Sequence, residues 1–202
     1  MPYYIRILGT SDYKIHLNEI INLLKDHGLS AKFDIDKNET PDNWTVIDVS
    51  NLNNEYLMQI ERNTTNKGVG KEEIEEFKDE ILEYKPFSAS KWLYKYLDKV
   101  KVIYTFQLLN ASMKEENFSI VETIKSVIWS KVSGIFQADN EGFSNEDGYH
   151  ILWQFSDDVT GEWNMAIKNF FGGWTNFTMD LGDEIQRKEF LAGKVPKNAK
   201  KL

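Results

Sequence analysis

The chain never keeps one hydrophobic period for long, and that switching dictates its fold class. Tyr3 to Leu8 is a short β-branched and aromatic run closed by Gly9-Thr10-Ser11, which reads as a strand and a turn. Ile15, Ile20, Leu23 and Leu24 then recur near helical spacing, with Gly28 as the stop. Ala31 to Asp36, Trp44 to Val49 and Tyr56 to Glu61 return to strand character around a loop containing Pro41. Residues 1–62 therefore read as β-α-β-β-β.

Asn63 to Gly70 is polar with two glycines and reads as a linker. Lys71 to Tyr84 places Ile74, Phe77, Ile81 and Leu82 on one stripe and seven acids elsewhere, a helix with an acidic outer face. Pro86 ends it, and Ser90 to Val100 restarts as a second helix. Val102 to Leu109 is the most apolar strand candidate and suits a buried position. Phe118 to Val132 is an amphipathic helix. Ile135 to Ala138, Tyr149 to Phe155 and Trp163 to Lys168 read as strands, Thr175 to Met179 adds a fourth, and Gly182 to Leu191 is a last short helix. The expected fold is α+β: mainly antiparallel sheet with helices packed on it. Residues 101–191 repeat the element order of 1–62 at an offset of about a hundred residues. The expected organisation is thus two similar halves, an internal duplication joined by the helical pair 71–100. Residues 192–202 form a basic tail expected to fray.

Composition narrows the chemistry. Lysine and arginine total 24 against 32 acids, a net charge of −8, which argues against nucleic acid as a partner. There is no cysteine, so disulfides, thiolate metal sites and cysteine nucleophiles are excluded. No basic leader and no apolar run of membrane-spanning length occurs, so a cytoplasmic protein without a membrane partner is expected. The histidines are His16, His27 and His150, with no HExxH pair. No Gly-x-Ser-x-Gly elbow exists, and Lys67-Gly68-Val69-Gly70-Lys71 lacks the first glycine and the final Ser/Thr of a phosphate loop. No catalytic residue, metal site or cofactor is assigned, and the balance leans away from an enzyme.

Two segments remain as binding candidates. Asp139 to Gly148 carries four carboxylates, Asp139, Glu141, Glu146 and Asp147, with Asn140 and Asn145 between them. Such oxygen density could hold a hard cation. The glycines and asparagines are also what a long hairpin loop needs, and that reading is preferred. Aromatic residues crowd the last third, where Phe170-Phe171-Gly172-Gly173-Trp174 sets three rings around two glycines, as an exposed recognition loop would. Asp139, Glu141, Glu146, Asp147, Trp163, Phe171 and Trp174 are the binding candidates. The expected function is a non-enzymatic protein-binding module whose acidic face antagonises a basic partner such as a nuclease toxin, in the manner of an immunity protein. The alternative is a carboxylate hydrolase or a small-ligand or sugar binder, pairing Asp139 or Glu141 with Glu162 beside the aromatic residues. No run of residues attaches the chain to a known family.

Overall fold

A computed structural model of the chain describes residues 3–202. The fold is α+β with antiparallel sheet. The order is β1 (Tyr3–Gly9), α1 (Leu17–Asp26), β2 (Lys32–Ile35), β3 (Val46–Ser50), β4 (Tyr56–Thr64), α2 (Gly68–Ile81), α3 (Phe87–Leu97), β5 (Val102–Leu108), α4 (Glu115–Val132), β6 (Gly134–Ala138), β7 (Gly142–Phe143), β8 (Glu162–Lys168), β9 (Trp174–Asp180), α5 (Glu184–Leu191) and β10 (Lys200–Lys201). A 3-10 turn at Asn110–Met113 precedes α4.

The chain divides into two compact units, each made of two segments: Met1–Glu72 with Val100–Gly134, and Glu73–Lys99 with Ile135–Leu202. This differs from two consecutive halves. The expected first strand of the second half, β5, lies in the first unit between β4 and β1. The remaining strands of that half fall in the second unit, so the arrangement does not confirm a duplication. Periodicity identifies elements but not their partners, and the pairing of β5 with β1 joins residues about a hundred positions apart.

In the first unit the strands run β2-β3-β4-β5-β1, all pairs antiparallel. Register gives the sheet two unlike faces. Phe106 lies opposite Ile5 on β1 and Ile60 on β4; Ile60 in turn faces Ile47 on β3, which faces Ile35 on β2. The row beside it reads Gln107, Tyr4, Gln59, Asp48 and Asp34. Because side chains alternate along each strand, the first row lies on an apolar face and the second on a polar one.

Helices α1 and α4 pack together, and α4 packs on β1 and β4. Helix α1 buries Leu17, Ile20 and Leu24, and α4 buries Ile120, Ile124, Val127, Ile128 and Val132 at helical spacing. Gly9 lets the end of α4 approach β1: a Cβ there would lie 2.6 Å from the Val132 Cβ. Trp44 donates its indole N–H to the Ile15 carbonyl at 2.8 Å, and its ring meets Tyr104 edge-on at 5.9 Å. The expected linker is structured as well. Strand β4 runs to Thr64, α2 starts at Gly68, and buried Gly70 packs on the Thr64 carbonyl, 2.6 Å from where a Cβ would stand.

The second unit holds the β6-β7 hairpin and the sheet β10-β9-β8. Phe155, Met165, Ile167, Phe177, Met179, Leu181 and Phe190 form its core cluster. The strand expected over 149–155 is absent. His150 makes single bridges to Ser144 and Met165, and the Trp153 amide then bonds the Lys85 carbonyl at 2.9 Å. That diversion breaks any ladder, although Trp153 and Phe155 still meet at 5.4 Å. The basic tail is tied down, with Lys200–Lys201 paired to Thr178 and Phe177 of β9 and the Lys197 amide bonded to the Glu189 carboxylate at 2.8 Å.

Candidate functional site

The seven binding candidates all lie in the second unit. Asp139, Glu141 and Trp163 lie around one turn, Glu146 and Trp174 meet at another place, and Asp147 and Phe171 stand exposed. Asp139 and Glu141 are partly exposed at the β6-β7 turn, where Asn140 at φ 62° and Gly142 at φ 87° supply the left-handed backbone. The Glu141 backbone favours the charged form of the His150 ring. That ring packs on Trp163 at 5.0 Å and Phe155 at 5.5 Å. Trp163 thereby lies against the core of this unit. Burial among these rings pushes the His150 pKa down to about 4.

Glu146 and Trp174 form the second group. The Trp174 indole N–H donates to the Glu146 carboxylate at 3.2 Å. The Lys168 ammonium lies 4.3 Å from the Trp174 ring centre and 5.1 Å from that of Trp92. The two indoles meet edge-on at 4.9 Å. The cation is thus held on two π faces with a carboxylate close enough to act on it, and burial holds the Lys168 pKa below its ordinary value. Beyond this stem, Phe170 and Phe171 are 98% and 95% exposed at the hairpin tip. The Asn169 side chain braces the tip, accepting the amides of Phe171 at 3.1 Å and Gly173 at 3.0 Å.

The Asn145 side chain organises the acidic loop. It is 0% exposed, and its side-chain oxygen accepts the amides of Asp147 at 3.0 Å and Tyr149 at 2.9 Å. Glu146 and Asp147 stand outside it, exposed. Among the described residues, no three His, Cys, Asp or Glu side chains come together as a metal site. Asn145→Ala is expected to leave two amides unpaired and cost about 2–3 kcal/mol, measured as a lower urea midpoint with unchanged slope.

A concave site lies in the first unit, on the polar face of its sheet. An open depression of about 570 Å³ is lined by Asp34, Asp36, Glu39, Asp48 and Thr45 with their neighbours. Its position follows from register: Asp34 on edge strand β2 stands directly opposite Asp48 on β3. Like charges so placed oppose pairing by some tenths of a kcal/mol. Three of the four carboxylates have local partners. Gln59 donates to Asp48 at 2.9 Å, Asn38 donates its amide to Asp36 at 2.7 Å, and the Thr45 amide lies 3.0 Å from both Glu39 oxygens. The Thr45 hydroxyl, foremost, holds the Glu39 carboxyl below its ordinary pKa, against repulsion from Asp36. Asp34 is exposed and accepts no hydrogen bond from any described residue. Sequence reasoning did not single out these residues, although Phe33-Asp34-Ile35-Asp36 alternates with both acids on one face.

Among the described residues, no helix is long and apolar enough to cross a membrane. No family model, no curated protein and no solved structure matches the chain.

Proposed function

We propose that the chain is a non-enzymatic protein-binding module, and that the acidic depression of its first unit receives lysine or arginine side chains of a basic protein partner, as in an antagonist of a basic toxin. The observation that carries this reading is the directly opposed Asp34–Asp48 pair within a concave surface. A chain needing only solubility would spread its charge, since opposed carboxylates on paired strands cost stability. A cation bridging the two removes that cost, so binding energy is available where the free protein is electrostatically frustrated. The partly compensated neighbours Asp36 and Glu39 add a field that steers basic partners toward the depression.

The exposed acids of helix α2, including Glu76 and Glu80, supply the control. Titration with a short lysine-rich peptide is expected to show binding that weakens roughly tenfold, about 1.4 kcal/mol, in Asp34→Asn/Asp48→Asn. Glu76→Gln/Glu80→Gln, which removes the same formal charge, is expected to leave the affinity within about twofold. Equal losses in both double variants would reduce the interaction to net charge and overturn the reading.

A further inference from the structure

The acidic depression adjoins an open sheet edge. Strand β2 ends the strand order and pairs with β3 alone. No backbone N–H or C=O of residues 32–35 bonds to any described residue outside that ladder. Phe33 and Ile35 lie half-buried at the rim of the apolar face, opposite Val49 and Ile47, which are 0% exposed. The edge therefore offers backbone partners, an apolar margin on one side and the carboxylates on the other.

Edges of this kind are commonly guarded by an outward lysine. Lys32 stands in that position, but its ammonium is turned away, donating to the Leu52 carbonyl at 3.0 Å and the Asn54 side-chain oxygen at 2.6 Å. What remains at the edge is Asp34, with Asp36 just beyond. A second copy pairing through the same edge would bring these acids against their own counterparts. Charge thus disfavours self-pairing and favours a basic strand.

We propose, building on the function inferred above, that the partner docks by adding an extended basic segment as a further strand on β2, its alternate Lys or Arg side chains reaching Asp34 and Asp48 and its intervening apolar side chains continuing the Phe33–Ile35 margin. Main-chain bonds would hold the segment, and the acid side of the edge would select it. Side-chain alternation makes the requirement specific: charge at every second residue satisfies one face while leaving the other apolar.

The test uses the whole chain and two peptides of about seven residues, long enough to cover the strand. One alternates lysine and valine; the other has the same sequence with every backbone nitrogen methylated, so charge and side chains are kept while the N–H donors are lost. The unmethylated peptide is expected to bind at low salt and to slow amide exchange within Lys32–Ile35 at least tenfold. The methylated peptide is expected to bind at least tenfold more weakly. Equal affinity of the two peptides, with β2 amides unprotected, would overturn strand addition while leaving the acidic depression as the binding surface. Absence of binding by either peptide at low salt would overturn both inferences. Protection of β2 that rises with protein concentration in the absence of peptide would show a second copy on the edge and also overturn the proposal.

Discussion

Acidification from about pH 7 to about pH 4 is expected to remove about 3 kcal/mol of stability through His150 alone. In the folded chain the His150 ring is packed between Phe155 and Trp163, with its pKa lowered to about 4 from 6.5. Between those values the unfolded chain binds a proton that the folded chain refuses. Stability contributed by the neutral ring is complete above pH 6.5, declines as pH falls, and levels off below the folded value. Charging the ring in place is costly, because its Nδ1 is buried without a hydrogen-bond partner. Carboxylates held below their ordinary pKa, Glu19, Glu39 and Asp183 among them, lose their contribution only at lower pH. The window between about pH 4.5 and 6.5 therefore belongs to His150. Urea titrations across it should show the slope, and His150→Phe should flatten it. An unchanged slope in that variant would assign the loss to other groups.

Phe106→Ala is expected to destabilise the first unit by about 3–5 kcal/mol. The ring is 0% exposed on β5, flanked by Ile5 and Ile60 on the neighbouring strands. Truncation opens a cavity at the centre of the apolar face, where strands on both sides limit relaxation. Gln107→Ala, one residue on, lies opposite Gln59 and Tyr4 on the polar face and should cost less than about 1 kcal/mol. Chemical denaturation of the two variants checks the register directly. A reversal of the order would place β5 one residue out and turn the sheet over.

Much of the fold is legible in the sequence because its elements carry strong periods. Val102 to Leu109 reads as a strand suited to burial, and β5 over Val102–Leu108 lies between β4 and β1. The stripe of Ile120, Ile124 and Ile128 marks α4, which begins three residues earlier than expected, at Glu115. Connectivity is not legible in this way. The excursion through α2 and α3 sends Glu73–Lys99 to join residues from 135 onward, and no local period records which distant segment a helix will meet. The stretch 149–155 has the composition of a strand, but it lacks a partner along its length and follows the Lys85 carbonyl and the second unit's core instead.

The same distinction explains the site. Acid density points to Asp139–Gly148, where acids are closest in sequence, and there the Asn145 side chain ties the loop through the Asp147 and Tyr149 amides. The acids that meet across strands, Asp34 and Asp48, are 14 positions apart. Their alternation is visible one strand at a time, but their opposition requires the β2-β3 register. Lys168 beside Trp174 follows from the β8-β9 hairpin, but the second indole, Trp92, comes from α3, remote in sequence and equally hidden from local pattern.

The proposed role of the opposed Asp34–Asp48 pair is to bind a basic partner at the expense of stability. Its most direct test is the affinity of Asp34→Asn for the alternating lysine–valine peptide, measured beside the unaltered chain from about 20 to about 300 mM salt. The unaltered chain is expected to bind several-fold more tightly at low salt, with the difference narrowing as salt rises. Indistinguishable affinities of the two chains at every salt concentration would contradict it.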